Sequence, residues 1–126
     1  MTTKIMLVDD ALIMRMMLRD IIMKMGGCEI VAEASAPAQV MPLLAENKPD
    51  IVCLDLTLDD SPEPAGMALL GEIERSRPGT RVVIISAIDQ KEITARALAL
   101  GARAYIAKPF DAGEVAATLR RLGAGV

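Results

Sequence analysis

Five short apolar runs rich in β-branched residues punctuate the chain: "KIMLV" (4–8), "EIVAEA" (29–34), "DIVCLD" (50–55), "RVVIIS" (81–86) and "AYIAK" (104–108). Runs of this length, separated by segments with a helical repeat, predict strands alternating with helices. In the first intervening segment Met14, Met17, Leu18, Ile21, Ile22 and Met25 recur at helical spacing and predict one buried face. Arg15, Arg19, Asp20 and Lys24 fill much of the other face, and Gly26 and Gly27 predict its end. Met16 and Met23 fall off the stripe, where flexible thioethers could serve as an adaptable partner surface. "DQKE" (89–92) and "DAGE" (111–114) have the Asp-x-x-Glu spacing of capping boxes and predict the starts of the last two helices. The second helix is the least well marked. Pro37 stands near its start and Pro42 inside it, where a proline removes a backbone hydrogen bond.

Strand–helix alternation repeated five times predicts an α/β fold, a parallel sheet doubly wound by helices on both faces. In such a sheet ligands bind beyond the carboxyl ends of the strands, so chemistry is sought where each strand stops. The first run stops at Asp9 and Asp10, the third at Asp55, the fourth at Ser86, and the fifth at Lys108 before Pro109. The second stops at Ala34 and Ser35, which carry less chemistry.

Composition narrows the function classes. A chain of 126 residues suits one domain spanning 1–126, and 52% hydrophobic residues with a net charge of −3 suit a globular protein. Mild acidity gives no electrostatic footprint for nucleic acid. No apolar run approaches the ~18 residues of a membrane span, and "MTTKIMLVDD" reaches an acid pair too early for a signal peptide. A cytoplasmic protein is expected. There is no histidine, which removes histidine-based triads and most zinc sites. Cys28 and Cys53 fit no metal spacing and read as reduced core thiols.

Three carboxylates gathered at one sheet edge repel one another unless a cation joins them. Oxygen ligands without imidazole or thiolate suit a hard divalent ion, Mg²⁺ first and Mn²⁺ as its substitute. Lys108 adds an ammonium and Ser86 a hydroxyl. A carboxylate among such groups can take up a phosphoryl group and form an aspartyl phosphate.

The motifs "VDD" (8–10) with Arg15 five beyond Asp10, "LDL" (54–56), "ISA" (85–87) and "YIAKPF" (105–110) resemble those of the receiver domain of two-component response regulators. The resemblance covers almost the whole chain, and the first helix looks most like the CheY type of chemotaxis regulator. It implies a flavodoxin-like (βα)5 sheet in the order 2-1-3-4-5. It implies Asp55 as phosphoacceptor, Asp10 as direct metal ligand, Asp9 as its partner, and the Thr57 backbone carbonyl completing the metal shell. Ser86, the Ala87 backbone and Lys108 would stabilise the phosphoryl group. Ser86 and Tyr105 would form the switch, and the Lys108–Pro109 bond would be cis. Thr57 and Ile88 would tune phosphoryl lifetime, a branched residue at 88 hindering the attacking water. The implied partners are a histidine kinase or histidine phosphotransfer domain, which must supply the phosphohistidine, and a downstream protein on the helix 4–strand 5–helix 5 face. A monomer is expected. With strand 1 between strands 2 and 3, the cysteines would stand about 9.6 Å apart, beyond disulfide reach.

Bland readings stand beside these roles. Asp10 alone would serve as a helix N-cap, Ser86 as a turn hydroxyl, Lys108 as a solvated charge and Tyr105 as packing. The segment after Asp55 also departs from the family. "LTLDDSPEPAG" (56–66) has Asp59 where the family's proline is expected, and Gly66 arrives about three residues late. Pro62 and Pro64 could restore stiffness, and Asp59 and Asp60 read as solvated loop charges. Two rival functions remain at this point. One is a degenerate receiver that docks without being phosphorylated. The other is a Mg²⁺-dependent phosphohydrolase, against which Asp55-Leu-Thr lacks the second aspartate of an Asp-x-Asp motif.

Overall fold

The computed structural model describes residues 2–58 and 65–125. Asp59, Asp60, Pro62 and Pro64 lie outside the described residues. Strands and helices alternate as β1 (Thr3–Val8), α1 (Leu12–Met25), β2 (Cys28–Ala34), α2 (Pro37–Asn47), β3 (Ile51–Leu54), α3 (Ala65–Ser76), β4 (Arg81–Ser86), α4 (Lys91–Ala99), β5 (Ala104–Ala107) and α5 (Ala112–Arg121). The strands form one parallel sheet in the order β2-β1-β3-β4-β5.

Alternation of side chains along each strand divides the core into two layers. Met6, Val8, Val52, Leu54, Val82 and Ile84 join Val40 and Leu44 of α2 and Leu70 and Ile73 of α3. Ile5, Leu7, Ile51, Cys53, Val83 and Ile85 join Leu18 and Ile22 of α1 and Val115 and Leu119 of α5. Covering both faces explains why β3 is buried at every position and reads as a continuous apolar run. In β2 an extra residue, Val31, shifts the register, so that Leu7 lies opposite Glu33 and Val8 opposite Ala34. The strand order reverses at β1, whose neighbours β2 and β3 lead the chain to opposite sides, and a crevice opens there. β1 also separates the cysteines, which are both free and buried. Burial pushes the Cys53 thiol up to about 12.

Helix α2 forms despite its prolines. Pro37 occupies the first turn, where no N–H partner is needed, and burial of Val40 and Leu44 outweighs the bond lost at Pro42. Three local expectations change. Met17 is exposed, because the buried line of α1 runs through Leu18 and Ile22, with Met14, Ile21 and Met25 half-buried beside it. Asp89 does not cap α4. The first helical bond runs from Thr94 N–H to the Gln90 carbonyl, so the helix starts one residue later and Gln90 takes the cap position with no side-chain bond. At α5 Asp111 is the N-cap, as predicted, but it accepts from Gly113 N–H, and among the described residues no bond joins it to Glu114 to make the capping box.

Candidate functional site

The crevice beside β1 gathers the residues at the strand ends. Asp9 and Asp55 are 2% and 4% exposed, whereas Asp10 faces solvent. One oxygen from each of the three carboxylates lies within 4.8 Å of the others. Backbone bonds set this convergence: Asp9 N–H donates to the Ala34 carbonyl and Asp55 N–H to the Val8 carbonyl, each extending its ladder one step beyond the strand.

Each buried carboxylate is held on two sides. Asp9 Oδ1 accepts from Ala11 N–H at 2.9 Å, and Oδ2 accepts from Lys108 Nζ at 2.7 Å. Asp55 Oδ1 accepts from both the N–H and the hydroxyl of Thr57 at 3.0 Å, and Oδ2 accepts from Lys108 Nζ at 2.9 Å. Lys108 is thus a half-buried bridge and not a solvated charge. Its burial alone would lower its pKa, but the two carboxylates outweigh that and raise it. Its backbone N–H donates to the Ser86 carbonyl, and the following bond to Pro109 is cis. Asp10 is not the N-cap of α1: Ala11 holds that position without a side-chain bond. Among the described residues no hydrogen bond or ion pair engages the Asp10 carboxylate.

A second group adjoins the first. Ser86 is fully buried, and its Oγ accepts from Ile88 N–H at 3.3 Å. The Tyr105 hydroxyl donates to the Ile88 carbonyl at 2.5 Å. Burial raises the phenol's pKa, while hydrogen bonding with Ser86 and Thr94 opposes the rise. Tyr105 and Ile88 both pack partly on the core layer of α2 and α3. Ala87 and Thr57 are exposed.

Two features escape sequence reasoning. Gly66 opens α3 against the end of β3: its N–H donates to the Leu56 carbonyl, and an added Cβ would lie 2.4 Å from Leu56 Cα and 2.6 Å from the Asp55 carbonyl oxygen. The second is an ionic cluster behind Asp9. Arg15 Nη1 donates to the Asp9 carbonyl at 2.7 Å, its Nε pairs with Glu33, and Arg19 pairs with the other oxygen of Glu33. Arg15 stood in a motif without a role, and a charged residue near the end of an apolar strand was the only signal for Glu33.

The residues present fit a hard divalent cation. Three carboxylates face one ammonium, leaving two negative charges, and neither nitrogen nor sulfur ligands adjoin them among the described residues.

A family model described as the response regulator receiver domain matches residues 5–120. The chain is 40% identical over 115 residues to the chemotaxis protein CheY of Bacillus subtilis, covering 91% of this chain and 92% of that protein. It is 36% identical to CheY of Thermotoga maritima, covering 97% and 98%. A crystal structure of a CheX–CheY–BeF3–Mg²⁺ complex from Borrelia burgdorferi superposes with a TM-score of 0.86 at 25% identity, covering 95% of this chain and 88% of that one.

Proposed function

Because the chain belongs to the response regulator receiver domain family, we propose that it is a CheY-like switch operated by phosphorylation of Asp55. The observation that carries this reading is the Lys108 ammonium bridging Asp9 and Asp55 in the crevice at the strand-order reversal, with the Asp10 carboxylate beside it. A carboxylate oxygen of Asp55 attacks the phosphorus of a partner's phosphohistidine. The P–N bond breaks and its electron pair returns to the imidazole, which takes up a proton. Thr57 holds the plane of the Asp55 carboxylate through two bonds to Oδ1. Lys108, already in contact with Oδ2, pairs with the new phosphoryl charge.

Asp9, Asp10 and Asp55, with the Thr57 backbone carbonyl, would hold Mg²⁺, or Mn²⁺ in its place. When bound, the ion would neutralise carboxylate and phosphoryl charge. The Borrelia burgdorferi complex contains both Mg²⁺ and BeF3, which supports the same ion here. Ser86 and the Ala87 N–H would receive the phosphoryl oxygens. Movement of Ser86 would break its contact with Ile88 N–H and let Tyr105 reorient, shifting the population of the α4–β5–α5 face toward a partner-binding state.

The donor would be a histidine kinase or histidine phosphotransfer domain, and the output a protein contact in a chemotaxis pathway, as for the CheY relatives. Residues 1–126 would act as one receiver unit, monomeric and cytoplasmic; no helix among the described residues is long and apolar enough to cross a membrane. The test is labelling by a small phosphodonor such as acetyl phosphate with Mg²⁺. Stoichiometric incorporation, lost in Asp55→Ala, is expected. A chain that takes up no label would be a docking module, and continuous turnover of small phosphate esters would mark a phosphohydrolase.

A further inference from the structure

We infer that Arg15 is a positioning residue for the cation site, fixing the β1–α1 turn from behind, and that Glu33 and Arg19 hold it in place. The inference rests on the reading of Asp9 and Asp10 as cation ligands. The last ladder bond of β1 runs from Asp9 N–H to the Ala34 carbonyl, and among the described residues no backbone donor meets the Asp9 carbonyl. Arg15, one turn into α1, supplies the missing donor through Nη1 at 2.7 Å. The N–H of Asp9, its carbonyl and both carboxylate oxygens are then all engaged, by Ala34, Arg15, Ala11 and Lys108. The peptide joining Asp9 to Asp10 is fixed, and with it the origin of the Asp10 side chain.

An arginine so placed needs a counter-charge, and the register shift in β2 supplies it. Leu7 belongs to the core layer of α1 and α5, and the extra residue Val31 sets Glu33 opposite Leu7, on that side of the sheet. Without the shift Glu33 would fall opposite Val8, whose side chain joins the layer of α2 and α3. As built, Glu33 receives Arg15 Nε at 3.0 Å on Oε1 and Arg19 on Oε2. Arg15 is only 14% exposed in its side chain and Glu33 26%. Burial alone would raise the Glu33 pKa, but the two guanidinium groups lower it. The planar fork matters. One edge of Arg15 reaches a backbone oxygen while another atom pairs with a carboxylate, which a lysine ammonium on a flexible stem does less well.

Opposite signs separate positioning from bare charge. A guanidinium near a cation site repels the cation, so if Arg15 acted only through its charge, Arg15→Met would tighten Mg²⁺ binding and Arg15→Lys would leave it unchanged. Positioning requires both variants to weaken it, Arg15→Met by about 10-fold, as for the loss of a residue supporting a metal ligand, and Arg15→Lys by less. The Mg²⁺ dissociation constant is read by titration calorimetry, with folding checked by urea denaturation. If Arg15→Met does not fold, Arg15→Lys decides alone. Unchanged binding in Arg15→Lys, or tighter binding in Arg15→Met, overturns the inference while leaving the cation site intact. If the unaltered protein binds no Mg²⁺, the cation reading itself fails, and the inference with it.

Discussion

Gly66 and Asp55 touch through their backbones: a Cβ at Gly66 would come within 2.6 Å of the Asp55 carbonyl oxygen. The start of α3 therefore rests on the residue proposed to accept the phosphoryl group. Gly66→Ala must push α3 away or displace Asp55. We expect a loss of about 1–3 kcal/mol, typical of overpacking, together with slower labelling by acetyl phosphate. Urea denaturation and labelling rates check both, and wild-type behaviour in each would show that the contact yields easily.

Lys108 ties together two carboxylates that are almost fully buried. Lys108→Met leaves them facing each other without a cation, and about 3 kcal/mol of stability should be lost. The pH dependence has a definite sign. The folded pKa of Lys108 is raised above the ordinary 10.5, so its contribution is fully present below that value and is lost as pH rises through the folded pKa. Stability measured by urea between pH 9 and 12 should fall for the wild type and fall less steeply for Lys108→Met. Parallel curves would remove the bridge as a source of stability.

Excess negative charge should make the folded chain responsive to divalent cations. An ion that binds only the folded state at 100 times its dissociation constant adds about 2.7 kcal/mol, so Mg²⁺ should raise Tm. Asp10→Asn should blunt that rise while altering the metal-free Tm little, because Asp10 is exposed. An undiminished Mg²⁺ response in Asp10→Asn would exclude it as a ligand.

The placement of the acidic site was legible because it depends on two robust features: short apolar runs and the residue at which each stops. Both survive errors of one residue at a boundary, as at β3 and β5. The strand order came through the receiver resemblance and not from the pattern of runs. What stayed hidden depends on through-space approach. Gly66 reads as the glycine that opens helix three, but not as one pressed against Leu56 and the Asp55 carbonyl. Glu33 reads only as a charge near the end of an apolar run until a single extra residue in β2 turns it toward α1. Met17 lies one position from Leu18 on the helix, and periodicity alone could not say how wide a face α5 and β2 would cover. Asp59 and Asp60 lie outside the described residues.

Tyr105→Phe removes the donor to the Ile88 carbonyl. A stability loss of about 1 kcal/mol is expected, with phosphorylation of Asp55 retained. Amide exchange in the segment after Ser86 should quicken in the unphosphorylated protein. Protection equal to that of wild type would mean that the hydroxyl does not restrain this segment.

Ile88 is half-buried next to the end of β4. If its branched side chain shields the phosphoryl group from water, Ile88→Ala should shorten the half-life of the aspartyl phosphate after donor removal, by several-fold. An unaltered half-life would dismiss the shielding role.

The position of β5 at the sheet edge separates what keeps the molecule folded from what lets it signal. β1 and β3 carry Asp9 and Asp55 through the middle of the sheet, where every neighbour is fixed, whereas Tyr105 lies on the outermost strand, which pairs with β4. Damage to the interior should be visible as low yield or early melting. Damage at the periphery that leaves the Lys108 bridge intact should give well-behaved protein that has gone silent. A search for loss-of-signal variants that first discards unstable clones would therefore be enriched in changes around β5, and one that reads loss of stability alone would pass over them.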